Sequence, residues 1–161
     1  MKAVAASQEE LRELYRELIL DHARSPRHFG KLQQASHHAE GINPLCGDKL
    51  KVYLQVNRDG IIRDATFEGS GCAISVASAS LLTETVIGLT TDQAMSYFAA
   101  IISMLAASDG GGEPGDPALQ FDRLRALQGV REFPARVKCA TLAWHALNSA
   151  INKDTKPATT E

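Results

Sequence analysis

The sequence predicts an α+β fold, because its patterns run as one helix, then a short block of strands, then helices alone. Two observations carry this expectation. Leu50, Val52, Leu54 and Val56 alternate with mostly polar residues, Arg58-Asp59-Gly60 turns the chain, and IIRDATFEG follows, which is the signature of a β-hairpin. From Cys72 onward the apolar residues recur at helical spacing.

Each element has its own reason. Leu11, Tyr15, Leu18 and Ile19 lie on one stripe, so residues 8–24 form an amphipathic helix that stops near Ser25-Pro26, since proline disfavours helix in the residue before it. Residues 28–44 form a loop with room for one short strand. The hairpin strands cover 49–56 and 61–69, giving a sheet of about three strands. Gly69-Ser70-Gly71 closes the second strand, and a helix runs from Cys72 to Ile87. Thr90 or Thr91 caps the next helix, which carries Ala94, Phe98, Ile101 and Leu105 on one stripe and ends near Ala107. SDGGGEPGDP, residues 108–117, reads as a loop, followed by a shorter helix over 118–127. The last helix begins at Phe133-Pro134 and reaches Ile151, leaving 153–161 as a frayed, disordered tail. No repeat or second hydrophobic block interrupts this order, so residues 1–161 are expected to form a single domain.

A chain of 161 residues with 44% apolar and 22% charged residues has the composition of a globular protein. Its net charge of −2 offers no basic field, so nucleic acid is not an expected partner. No run approaches the roughly 18 apolar residues of a membrane span. The N-terminus, MKAVAASQEELREL, turns acidic before a signal peptide's apolar core forms, so the expected location is cytoplasmic. Gly110 to Gly112 lack a following Gly-Lys-Ser/Thr, so they do not make a phosphate-binding loop.

The chemistry concentrates in three cysteines. An odd count in a reducing compartment argues against disulfides, and no CxxC pair exists. Cys46 sits in Asn43-Pro44-Leu45-Cys46-Gly47-Asp48, a stiff bent loop suited to a reactive or metal-binding thiol, although loop packing also explains it. Cys72 opens a predicted helix, where unpaired N–H groups and the macrodipole favour thiolate. A small buried hydrophobe is the alternative. In that helix Ser75, Ser78 and Ala79 are small enough for another backbone to approach closely. Cys139 is flanked by Arg136 and Lys138, which stabilise thiolate or merely face water. Taken together, Cys46, Cys72, Cys139 and Asp48 suffice for a tetrahedral Cys3Asp zinc site, with Lys49, Arg136 and Lys138 offsetting its charge. His22, His28, His37, His38 and His145 read as surface polar residues.

Four stretches then carry a resemblance: LYRELILDHARSPRHFGKL, NPLCGDKLKVYLQV, DATFEGSGCAISVASASLLTE and ALQGVREFPARVKCATLAWHAL. They span most of the chain up to Leu147. The chain resembles the SufU branch of the IscU/NifU-like iron–sulfur cluster assembly family. Scaffold members usually carry histidine before the third cysteine, where this chain has Lys138. They also have a proline-rich chaperone-binding segment, absent here, where this chain has an insertion from about Ser108 to Val130. The resemblance implies a small antiparallel sheet with helices packed on one side, and Zn2+ held by Cys46, Asp48, Cys72 and Cys139. It implies a zinc-dependent sulfurtransferase that takes persulfide sulfur from a SufS-type cysteine desulfurase and passes it toward a downstream SUF assembly scaffold. Cys46 is then the acceptor, released from zinc as a desulfurase histidine takes its place, and Arg136 contacts the desulfurase. The alternative is a scaffold or carrier assembling a transient [2Fe-2S] cluster on the same four residues, since thiolates suit both metals.

Overall fold

A computed structural model describes residues 8–44, 47–106, 123–153 and 157–159 of the chain. The elements are α1 (Gln8–Arg24), β1 (His37–Asn43), β2 (Asp48–Val56), β3 (Ile62–Ser70), α2 (Ala73–Val86), α3 (Thr91–Ala106), a 3₁₀ helix (Leu124–Glu132), α4 (Pro134–Ile151) and β4 (Ala158–Thr159). The first helix, the hairpin and the last helix fall where their patterns place them. Thr90 does cap α3: its Oγ1 accepts the Gln93 N–H at 3.1 Å, and the Gln93 side chain accepts the Thr90 N–H at 2.9 Å.

The strand order is β3-β2-β1-β4, with β1–β2 and β2–β3 antiparallel and β4 parallel to β1. The sheet is therefore mixed and four-stranded, which corrects the expected antiparallel sheet of about three strands. Ala158 and Thr159, inside the expected frayed tail, pair with Gly41 and Ile42 along the edge that β1 would otherwise leave open. A two-residue strand has no alternation for a pattern to reveal.

Leu50, Val52 and Leu54 project from one face of β2 and are essentially fully buried. On the same face β1 lies so close to α4 that a Cβ on Gly41 would meet Leu142 at 3.0 Å. Nine of the fourteen residues of α2 are buried, because it packs against α1, β3 and α4 at once. Polar atoms at that junction are satisfied pairwise: Trp144 Nε1 donates to Ser78 Oγ at 3.1 Å, and Ser78 Oγ donates to the Ala140 carbonyl at 2.6 Å. The opposite side of β2 presents Lys49 and Lys51, with the ammonium of Lys51 5.3 Å from the Tyr53 ring centre.

Two further expectations are corrected. The helix expected over 118–127 is, where described, a 3₁₀ helix over Leu124–Glu132; the loop 108–117 and residues 118–122 lie outside the described residues. Its buried Leu124, Leu127 and Val130 recur every three residues, the 3₁₀ period. His22 is fully buried, not at the surface. Its Nδ1 is 2.6 Å from Ser80 Oγ, and its Nε2 is 3.0 Å from Arg123 Nη2. His145 is half-buried and packs edge-on against Phe98.

Candidate metal centre

Three elements deliver one ligand atom each to a common point. Asp48 opens β2, Cys72 is the N-cap residue of α2, and Cys139 lies in the second turn of α4. The carboxylate oxygen and the two sulfurs all lie within 4.8 Å of one another. In a tetrahedral zinc site, bonds of about 2.3 Å to sulfur and about 2.0–2.2 Å to oxygen put donors roughly 3.5–3.8 Å apart. The Asp48 Oδ2–Cys72 Sγ separation of 4.0 Å is close to that spacing, so a slight contraction completes the fit.

The local sequence explains why Asp48 reaches this point. Cys72 makes no side-chain cap bond for α2, so the first N–H groups need another acceptor. Asp48 supplies it from the neighbouring strand: Oδ1 accepts the Cys72 N–H at 3.0 Å, and Oδ2 accepts the Ser75 hydroxyl at 2.7 Å. A carboxylate is favoured at a helix N-terminus. The approach is tight, since a Cβ on Gly71 would lie 3.1 Å from Asp48 Oδ1. Only 2% of Asp48 is exposed, and among the described residues no Lys, Arg or His forms an ion pair with it. A buried carboxylate beside two thiols is a site that favours a cation.

Burial opposes ionisation of the Cys72 thiol, but hydrogen bonding, first from the Ser75 backbone N–H, outweighs it and holds the thiol below its ordinary value. Ser75 Oγ, which donates its proton to Asp48, also lies 3.6 Å from Cys72 Sγ, so this one side chain borders both groups. Cys139 is fully buried, and Asn43 Nδ2 donates to its sulfur at 3.7 Å. Arg136 is exposed, one turn of α4 before Cys139; attraction to Cys72, then hydrogen bonding to Cys139, raises its pKa further. Lys49 alternates to the other face of β2 from Asp48 and lies 3.6 Å from Glu40.

Of the expected ligands, Asp48, Cys72 and Cys139 come together, and Arg136 borders them. Cys46 lies outside the described residues, between Asn43 and Asp48, which form the last pair of the β1–β2 ladder. Ser75 and Asn43 have roles that pattern reading did not assign. Ser75 appeared only as a small residue permitting close packing, and Asn43 only as a neighbour of Pro44.

Residues 14–110 match the family model described as the NifU-like N terminal domain. The chain is 40% identical to the zinc-dependent sulfurtransferase SufU of Bacillus subtilis, over 88% of this chain and 91% of that one. It is equally 40% identical to the iron–sulfur cluster assembly scaffold protein IscU of Thermotoga maritima, over 89% of this chain and 96% of that one. Among solved structures, a proposed iron–sulfur cluster assembly scaffold for the SUF system from Fervidobacterium islandicum superposes with a TM-score of 0.75 at 31% identity. That match covers 87% of this chain and 98% of the other.

Proposed function

The chain belongs to the NifU-like N-terminal domain family, and from that membership we propose a zinc-dependent sulfurtransferase of iron–sulfur cluster assembly. It accepts persulfide sulfur from a SufS-type cysteine desulfurase and passes it toward a downstream assembly scaffold, in the cytoplasm and as a single domain. The observation that carries the reading is the convergence of Asp48, Cys72 and Cys139 within 4.8 Å, at the end of the hairpin whose connection holds Cys46.

Cys46, Asp48, Cys72 and Cys139 would hold the zinc. Zinc bound there would keep its cysteine ligands deprotonated near neutrality, which removes the need for a general base. Cys46 is the acceptor, because it stands between Pro44 and Gly47 in the connection from β1 to β2, whereas Cys139 lies within α4 and Cys72 is fixed at the N-cap of α2. Its thiolate attacks the terminal sulfur of the partner's persulfide, a new S–S bond forms, and the partner's cysteine leaves as thiolate. The transferred sulfur keeps its proton, so neither oxidant nor reductant is consumed. Asp48, Cys72 and Cys139 stay in place on β2, α2 and α4. Arg136, exposed beside the two thiols, meets the desulfurase and supplies positive charge where anionic sulfur arrives.

Identity alone does not separate a sulfurtransferase from a cluster scaffold, since relatives of both names match equally well. Lys138 in place of a scaffold's histidine favours the sulfurtransferase. Elemental analysis after purification without chelators should find one zinc per chain, and adding the protein should raise desulfurase turnover with cysteine and a reductant. A brown protein with stoichiometric iron would replace this reading with the [2Fe-2S] scaffold.

A further inference from the structure

Asn43, the last residue of β1, is fully buried and sits opposite Asp48 in the β1–β2 ladder, so both project from the same face of the sheet. Its side-chain amide has one partner among the described residues, the sulfur of Cys139 at 3.7 Å. Its Oδ1 is buried with no partner among the described residues. Burying an amide with one end unsatisfied is unfavourable, and a neutral thiol is a weak acceptor that returns little. A metal-bound thiolate is a much stronger one. Reversing the amide would set Oδ1 against the sulfur lone pairs and leave two N–H donors unsatisfied, so the donor belongs on the Cys139 side.

Resting on the metal reading above, we infer that Asn43 is a positioning residue whose amide N–H holds the Cys139 sulfur in ligand geometry and withdraws electron density from it. Cys139 then remains a fixed and weakly nucleophilic ligand, and incoming sulfur is directed to Cys46. The selectivity between two cysteines of one site thus comes from β1, an element that supplies no ligand.

The test uses the full chain loaded with Co2+ in place of zinc, comparing the natural protein with the similarly sized Asn43→Leu and with Asn43→Ala. Neither variant can donate a hydrogen bond to sulfur. The thiolate-to-cobalt charge-transfer band should move to lower energy in both, and zinc affinity by chelator competition should fall roughly 10–100-fold. Mass analysis after incubation with desulfurase and cysteine should then find added sulfur on Cys139 as well as Cys46. A purely space-filling Asn43 would leave the band unmoved in whichever variant keeps the natural circular dichroism spectrum, and that outcome overturns the inference alone. Absence of any thiolate-to-cobalt band in the natural protein overturns the metal reading and this inference with it.

Discussion

In the proposed zinc site, replacing Cys139 would remove a ligand from a helix and replacing Cys72 one from a helix N-cap, whereas replacing Cys46 would remove one from the connection between β1 and β2, and the losses should differ in kind. Cys46→Ala should abolish sulfur acceptance while keeping part of the zinc, because Asp48, Cys72 and Cys139 still converge and water can fill a fourth position. Cys139→Ala should lose both metal and activity. Mass analysis of the modified peptides and zinc content of each variant check this, and persulfide found mainly on Cys139 would reverse the assignment. Arg136→Ala should keep its zinc, since a guanidinium is no ligand, yet stimulate the desulfurase weakly; zinc loss would mean that the guanidinium supports the site itself. The ligand types were legible because three lone cysteines and one nearby carboxylate had no other evident use. Ser75 and Asn43 were not legible. A serine 27 positions from Asp48, and an asparagine 96 positions from Cys139, acquire their roles only when β1, β2, α2 and α4 meet.

At the scale of elements, the join between β3 and α2 controls the site. Gly69 has φ +129°, and a Cβ there would lie 2.2 Å from the Lys49 carbonyl oxygen, next to Asp48 in the same strand. Gly69→Ala must therefore push β2 and β3 apart or move the start of α2. It should cost on the order of 2–3 kcal/mol in urea unfolding and weaken zinc binding together. Unchanged zinc affinity would show that the site tolerates displacement of this join. The Gly-Ser-Gly run announced the end of β3 from composition, but not that Gly69 permits a backbone contact across the ladder. Helix α1 was readable from its apolar stripe and the proline that stops it, α3 from its stripe and the Thr90 cap, and α4 from Pro134 in its first turn. The 3₁₀ helix was not, because a period of three differs from 3.6 only slightly over nine residues.

Across the whole molecule, the sheet, the four α-helices and the 3₁₀ helix share one apolar core, and α1 and Arg123, which precedes the 3₁₀ helix, are joined to α2 in addition through a polar cluster centred on His22. Its Nδ1 faces Ser80, and its Nε2 faces Arg123 at 3.0 Å and Glu84 at 3.5 Å; Arg123 in turn lies 3.0 Å from Glu84. Burial, then the charge of Arg27, pushes the His22 pKa below its ordinary 6.5, with Arg123 adding to this while Glu84 and Asp21 oppose it. The imidazole is thus neutral, Nδ1–H donating to Ser80 and Nε2 accepting from Arg123. The sign of the pH dependence follows. Below 6.5 the unfolded chain takes up a proton at His22 that the folded chain refuses, so the unfolded state binds more protons and is favoured. The full contribution of this joint is present above pH 6.5 and drains away as pH falls toward the lowered folded value. Metal-bound thiolates also lose stability in acid, so the measurement must be a difference. Urea unfolding of the natural protein and of His22→Gln, each from pH 8 to pH 5.5 at equal zinc, cancels the metal-linked part. His22→Gln should be the less stable at pH 8, where the neutral histidine's contacts are intact, and the gap should narrow as pH falls. A gap that stays constant would mean that His22 acts by packing alone, with its protonation immaterial to how the outer helices are held.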